Sequence, residues 1–335
     1  LSVPGLQQPV EILRDRWGIN HIYAQNQPDL FFAQGYAAAR DRLFQFEVWR
    51  RQATGTVSEI LGPRELERDR GARLFMFRGD MQREMEYYHP DGMEIITSYV
   101  RGVNAWIRET RRRPDLLPIE FELLDIEPQE WTPEVVVSRH QGLLGNIGQE
   151  LDYGRAVHAL GADKVRELMY FQPAREGQPQ LEMDAAIDGS LLSADILGVY
   201  NAFRRPVRFR PEDIVDSGRR NRADDADAES FLALSSAQEA EWQELMDQEI
   251  KDIGSNNWVV SGDRTMTGYP YMANDPHRAQ SAPSLRYWAH LVAPCWNVIG
   301  GGEPEIPGIS IGHNGVVTLG LTVFRTDGED LYVYD

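Results

Sequence analysis

Apolar side chains recur with two different periods in the first hundred residues. Val10-Glu11-Ile12-Leu13-Arg14-Asp15 alternates, Trp17-Gly18 reads as a turn, and His21-Ile22-Tyr23-Ala24 resumes the alternation, which predicts a short strand pair. The period then lengthens. Phe32, Tyr36, Ala39, Leu43 and Phe46 return at spacings of three and four, predicting a helix with Asp29 as its cap. Gly55 and Gly62-Pro63 interrupt the pattern. Ile96, Val100, Val103 and Ile107 then share one face of a second helix over 93–111. Pro114, Pro118, Pro128 and Pro133 punctuate a loop-rich stretch, and 134–175 reads as helix again.

Beyond residue 203 the texture changes. Arg204, Arg205, Arg208 and Arg210 form a basic cluster, and 224–252 holds ten acidic residues against one basic, Lys251. This reads as a solvated linker ending in an amphipathic helix over 231–250. After Gly254 the chain is β-like: Trp258-Val259-Val260, 269–273, 287–292, Val298-Ile299, 316–322 and 331–334, divided by Gly, Pro and Asn turns. The expected organisation is α+β. Residues 1–203 form a mostly helical region, 204–254 a charged spacer, and 255–335 a β-rich region.

Composition narrows the function classes. The 335 residues are 42% hydrophobic and 26% charged, an ordinary globular balance. A formal net charge of −18 argues against a nucleic-acid or anionic-membrane partner, because phosphates would be repelled. Cys295 is the sole cysteine, so no internal disulfide forms. No apolar run approaches the roughly 20 residues that span a bilayer. Leu1-Ser2-Val3-Pro4-Gly5 lacks the basic and apolar regions of a signal peptide, which is expected to be absent or already removed.

Few motifs carry chemistry. Gly308-Ile309-Ser310-Ile311-Gly312 fits G-x-S-x-G, but a nucleophile elbow needs a strand entering and a helix leaving. Here Pro304 and Pro307 precede it, and His313-Asn314-Gly315 turns into β-branched residues. Asp225-Ala226-Asp227-Ala228-Glu229 begins like a calcium loop, yet Ser230 replaces the turn glycine and Ser236 the closing glutamate. Gly254-Ser255-Asn256-Asn257-Trp258 stands where the spacer meets the first β-strand. Cleavage of the Gly254–Ser255 bond would make Ser255 a chain terminus. A free α-amine has a pKa of about 7.7–8.0 and could serve as base toward its own Oγ without a triad. A plain capping or turn serine is the competing reading of that residue.

These blocks together resemble the penicillin amidase family of N-terminal nucleophile hydrolases. The likeness rests on 10–24; on Gly35-Tyr36 with Ala39-Arg40-Asp41-Arg42-Leu43-Phe44-Gln45 and Arg50-Arg51; and on Tyr99 with Gly102-Val103-Asn104-Ala105-Trp106. It continues through Leu117-Pro118 with Glu120-Phe121, Gly254-Ser255-Asn256-Asn257-Trp258, Ala273-Asn274-Asp275-Pro276-His277, and Gly312-His313-Asn314-Gly315 with Thr318 and Gly320-Leu321-Thr322. The resemblance implies an αββα sandwich. It also implies a proenzyme that cuts itself between Gly254 and Ser255, releases the spacer and leaves an α/β heterodimer. Ser255 would be the nucleophile of a linear-amide hydrolase, and its freed amine the base. The backbone N–H of Val323 would contribute to the oxyanion hole, and His277 would orient the nucleophile. Leu144 and Ile311 match acyl-pocket positions, which suggests an apolar acyl chain on an N-acyl amide substrate. Arg278-Ala279-Gln280 replaces the aromatic of phenylacetyl-specific members.

A structural Ca²⁺ is expected, with no organic cofactor. Glu150, Asp327 and Asp330 match its ligands, and Glu329 would offer its carbonyl. The implied location is periplasmic or secreted. The family's β-chain runs several hundred residues past the serine, so this sequence is expected to belong to a larger enzyme. Its missing remainder would hold the asparagine that completes the oxyanion hole. Two other readings remain at this point: an unprocessed or non-catalytic homologue that binds acyl ligands, and a conventional serine hydrolase using Ser310.

Overall fold

The computed structural model describes residues 3–139, 146–169, 181–220, 255–277, 282–322 and 328–334. The chain is a mixed α and β protein. It divides into two compact units: Leu1–Arg139 with Pro206–Val323, and His140–Arg205 with Phe324–Asp335. Each unit therefore draws on sequence before and after the expected spacer.

The first unit opens with the predicted strand pair, β1 (Glu11–Arg14) and β2 (Asn20–Tyr23), antiparallel with Ile12 opposite Ile22. The long helix Gln27–Thr54 follows. Its cap is Asn26 and not Asp29, a correction with a clear cause. Pro28 already occupies the first turn, and Asn26 Oδ1 accepts from Asp29 N at 2.8 Å. The Asp29 carboxylate instead accepts from Gln7 N and Gln8 N, at 2.8 and 2.9 Å, and pins the N-terminal segment. The helix Gly92–Arg112 packs on the long one. Backbone meets backbone there: a methyl on Gly35 would run into the Tyr99 carbonyl, and one on Gly102 into that of Phe32. Only hydrogen fits at both positions.

After the spacer come β3 (Ser255–Val260), β4 (Tyr271–Pro276), β5 (Tyr287–Ala293), β6 (Trp296–Gly302), β7 (Ile311–His313) and β8 (Thr318–Leu319). Two sheets form. One has six strands in the order β1-β2-β5-β6-β7-β8, and the other is the β3–β4 ribbon. The β2–β5 pairing is parallel, with His21 opposite His290, and the other pairs are antiparallel. The core joins Ile22, Phe31, Phe46, Tyr99, Val103 and Leu291. Burying each such apolar side chain stabilises the fold by about 1.5–3 kcal/mol.

A polar knot crosses this core. Fully buried Asn20 donates from Nδ2 to Asp41 Oδ2 (2.9 Å) and to Tyr287 Oη (2.6 Å). Tyr287 Oη donates to Asp41 Oδ2 at 2.8 Å, and Arg14 pairs with Asp41. Burial alone would raise the Asp41 carboxyl. The hydrogen bonds from Arg14, Asn20 and Tyr287 outweigh it and hold the group below the usual carboxylate range. Burial first, and the Asp41 charge second, push the Tyr287 phenol well up.

Other expectations shift at element ends. The helical stretch expected over 134–175 consists of Pro133–Arg139, Ile147–Leu160 and Ala162–Leu168 within the described residues, and Gly161 separates the last two. Only Thr318–Leu319 of 316–322 pairs as a strand. Residues 331–334 form none, since no neighbouring strand among the described residues takes up their backbone groups. Residues 206–220 do not run free. Arg64 holds Asp213 by two bonds of 2.8 and 2.6 Å, and Val215 N donates to Leu123 O at 3.0 Å. The helix expected over 231–250 lies outside the described residues.

Candidate functional site

Ser255 is the first residue of β3 and lies opposite Pro276 of β4. The β-branched and aromatic Trp258-Val259-Val260 suit a ribbon, and Gly268, at φ +75°, allows the return. Pro276 has no N–H to give across the ladder. The Ser255 carbonyl instead accepts from Thr322 Oγ1 at 3.0 Å. This bond ties residues 321–322 to the start of β3, although they are distant in sequence.

Asn274 makes the second tie. Its Nδ2 donates to Asn256 O (3.2 Å) and Leu321 O (2.8 Å), while its Oδ1 accepts from Leu321 N (3.1 Å). One side chain therefore satisfies both backbone groups of Leu321. Gly320 lies so close to Asn257, Met272 and Asn274 that any side chain there would displace them. His277 follows directly after β4. Its Nε2 lies 2.9 Å from Asp275 Oδ2 and 3.3 Å from Asn256 Nδ2, so the ring addresses the residue next to Ser255. Hydrogen bonding from His277, then from Asn256, lowers the Asp275 carboxyl.

Ser255, His277 and the Leu321-Thr322 segment are thus gathered at one end of the β3–β4 ribbon. Val323 and Gly254 themselves lie outside the described residues, as does Leu144. Ile311 is half-buried in β7, opposite Gly301.

Ser310 has different surroundings. Its Oγ donates to Glu303 Oε2 at 3.1 Å, and the other oxygen of Glu303 holds Arg286 at 2.6 Å. Gly308, at φ +94°, is clamped by the Gln34 amide through two bonds of 2.9 Å. The motif then enters β7 directly, with no helix behind it and no histidine bonded to Ser310 among the described residues. This is not a nucleophile elbow.

The expected calcium ligands fall in the second unit. Asn146 holds the 328–329 backbone: its Oδ1 accepts from Gly328 N (3.2 Å) and Glu329 N (3.0 Å), and its Nδ2 donates to Glu329 O (2.8 Å). The Glu329 carboxylate accepts from Tyr200 Oη at 2.9 and 3.0 Å. Burial, then this bond, push the Tyr200 phenol up to about 12. Glu150 lies in the helix Ile147–Leu160, and Asp330 lies near Tyr332 Oη at 3.4 Å. Asp327 is outside the described residues, and among those described no three carboxylate, imidazole or thiol groups converge as a metal site. The oxygen-only donor set itself suits a hard cation.

Asn274, Thr322, Gln34 and Asn146 are the residues that sequence reasoning missed. Asn274 and Thr322 stood inside the family-like blocks without a role. Nothing local marks an amide that will satisfy a distant backbone.

The profile described as Penicillin amidase matches residues 9–335. Penicillin acylase 2 proenzyme of Pseudomonas sp. is 33% identical over 99% of this chain and 38% of its own length. Penicillin G acylase of Escherichia coli is 28% identical over 99% and 41%, respectively. Acyl-homoserine lactone acylase QuiP of Pseudomonas aeruginosa is 28% identical over 99% and 35%. A solved thermostable penicillin G acylase of Alcaligenes faecalis is 30% identical, covering 52% of this chain and 97% of that one, with a TM-score of 0.43. The chain spans somewhat over a third of the length of these curated relatives.

Proposed function

Because this chain belongs to the penicillin amidase family, we propose that it carries the nucleophile of an amidohydrolase that cleaves an N-acyl amide through an acyl-enzyme on Ser255. The Thr322–Ser255 bond is the observation that carries the reading, since it brings the backbone that continues into Val323 beside the serine. In this reading the Gly254–Ser255 bond is cut first. Residues 1–203 become one chain of a heterodimer, 204–254 is released, and Ser255 begins the other chain within an αββα sandwich.

The chemistry then needs no triad. The free α-amine of Ser255 takes the proton from its own Oγ as the oxygen attacks the amide carbonyl. The Val323 N–H donates to the developing oxyanion, a contribution typically worth about 3–4 kcal/mol. Collapse expels the amine, which takes the proton held on the α-ammonium. Water, deprotonated by the Ser255 α-amine, then attacks the ester carbonyl; the C–Oγ bond breaks, Oγ takes the proton back from the α-ammonium, and the acid is freed. His277 acts through Asn256 to hold the start of β3 in place. Ile311 and Leu144 would line an acyl pocket for an apolar chain.

Calcium suits the oxygen donors of Glu150, Asp327, Glu329 and Asp330. It would fasten the segment whose residues 328 and 329 are held by Asn146 and Tyr200. Export, to the periplasm or the medium, is the location that the family resemblance implies. No described helix is long and apolar enough to cross a membrane.

The test is intact mass and N-terminal sequencing of the protein as encoded, beside its Ser255→Ala variant. Two chains, one starting Ser255-Asn256-Asn257-Trp258, together with amide hydrolysis and with both lost in Ser255→Ala, are the expected result. A single uncut chain that still binds acyl amides would favour the binding-homologue reading. Loss of activity in Ser310→Ala, with Ser255→Ala intact, would favour the Ser310 hydrolase.

A further inference from the structure

A cavity of about 510 Å³ opens in the first unit between the β1–β2 turn, the middle of the long helix and the start of β5. That volume is in the range of small-molecule sites. Its wall carries three arginines, and their charges are not equivalent. Arg14 is paired with Asp41, and Arg286 with Glu303. Arg42 has no carboxylate partner among the described residues. Its Nη1 donates to Gln45 Oε1 and to Ser284 O, both at 2.9 Å. Its Nε and Nη2 edge, the pair of donors that grips a carboxylate in parallel, makes no hydrogen bond among the described residues.

The long helix is kinked at this residue (φ −138°, ψ 27°), although neither proline nor glycine is there to cause it. Trp17 and Trp288 also line the cavity, and both are more than half exposed. Arg16 covers one face of Trp17 at 4.8 Å, which leaves its other face and the Trp288 indole; beside a guanidinium with no carboxylate partner among the described residues, these suit a flat apolar body carrying one negative charge. We propose that this cavity binds a small aromatic carboxylate, with Arg42 taking the carboxylate and Trp17 and Trp288 flanking the ring. Burial depresses the Arg42 guanidinium, and the neighbouring Tyr287 and Asp41 only partly offset it, so an incoming anion would relieve an existing cost. The cavity's lining includes neither Ser255 nor His277 nor Thr322, so the proposal stands whether or not the Ser255 reading holds.

Benzoate, benzamide and inorganic phosphate serve as probes, read by calorimetry and tryptophan fluorescence. Benzoate should bind saturably and quench fluorescence, with benzamide and phosphate each weaker by about tenfold or more. Arg42→Gln should weaken benzoate by about tenfold or more. Arg42→Lys should weaken it less, since it keeps the charge and loses the fork. The Trp17→Phe/Trp288→Phe variant should still bind in calorimetry but lose the quench. Ser255→Ala should bind as the parent does. Absent binding, equal binding of benzamide or phosphate, an unchanged Arg42→Gln, or a quench that survives the double Phe variant would each overturn the proposal. Should Arg42→Gln fail to fold, the Lys and double Phe variants still decide it.

Discussion

Ala289 and Trp258 are both strand residues that follow the spacer, yet Ala289 is wholly buried in β5 while Trp258 is 56% exposed in β3. The contrast extends to their sheets. The six-stranded sheet lies against the helix Gln27–Thr54, and in its polar knot Asn20 and Tyr287 are buried while Asp41 is only slightly exposed, at the wall of the cavity. The β3–β4 ribbon also relies on side-chain amides and a carboxylate, Asn274 to backbone carbonyls and Asp275 to His277, but most of these bonds face water. Side-chain hydrogen bonds therefore carry unequal energetic weight in the two places. A buried polar group left without a partner carries its full desolvation cost, whereas an exposed one is rehydrated. The candidate nucleophile thus stands at the lightly held end of the unit, where opening costs least.

The sharpest way to break this comparison is at the helix contact. Gly35→Val should destabilise the first unit by about 3 kcal/mol or more, because the added atoms meet the Tyr99 backbone and not a movable side chain. Thermal melting would show it, and a near-unchanged Tm would mean the two helices can separate freely. Asp41→Ala comes next, at about 2–3 kcal/mol, since Arg14, Asn20 and Tyr287 lose their shared acceptor.

The same residue sets an acid limit. Its folded carboxyl is held below the unfolded value, so its stabilisation is complete above about pH 4 and fades as pH falls through the lower folded value. Denaturant melts from pH 6 down to pH 2 should show that loss in the parent and not in Asp41→Ala.

On the ribbon the effects should be smaller. Asn274→Ala should cost about 1 kcal/mol, and it should accelerate hydrogen exchange at the Leu321 amide far more than at the Leu291 amide. Equal acceleration at both would mean that ribbon and sheet open together, which would erase the contrast. The smallest expected effect is at Asp275. Its carboxyl should titrate below the ordinary range by NMR and return toward it in His277→Gln, with no measurable change in melting.

Much of the helical half could be read from the chain, because burial of one face imposes a period that survives in sequence: Ile96, Val100, Val103 and Ile107 mark the helix Gly92–Arg112 as they mark its buried side, whereas the long helix is buried all round over 29–39. Ser255 stands where the texture changes abruptly, but only the likeness to the penicillin amidase family set it apart from a capping or turn serine. The strand ends could not. Leu331 to Tyr334 has the composition of a strand and forms none, since a strand exists only where a neighbour takes its hydrogen bonds. Asp29 reads as a cap, but its carboxylate holds Gln7 and Gln8, a use that depends on where the N-terminal segment lies.

The sequence by itself determined the local periods, the acidic break between the helical and β-rich stretches, and the placing of one serine at that break. Tertiary structure alone decided that β2 would lie parallel to β5, that Gly35 and Gly102 would let two backbones touch, and that Asn274 and Thr322 would bring the 321–322 backbone to Ser255. The reason is physical. A local period records only which face is buried. Register and long-range partners follow from filling a shared core and satisfying every backbone donor at once, which no short window of the chain encodes.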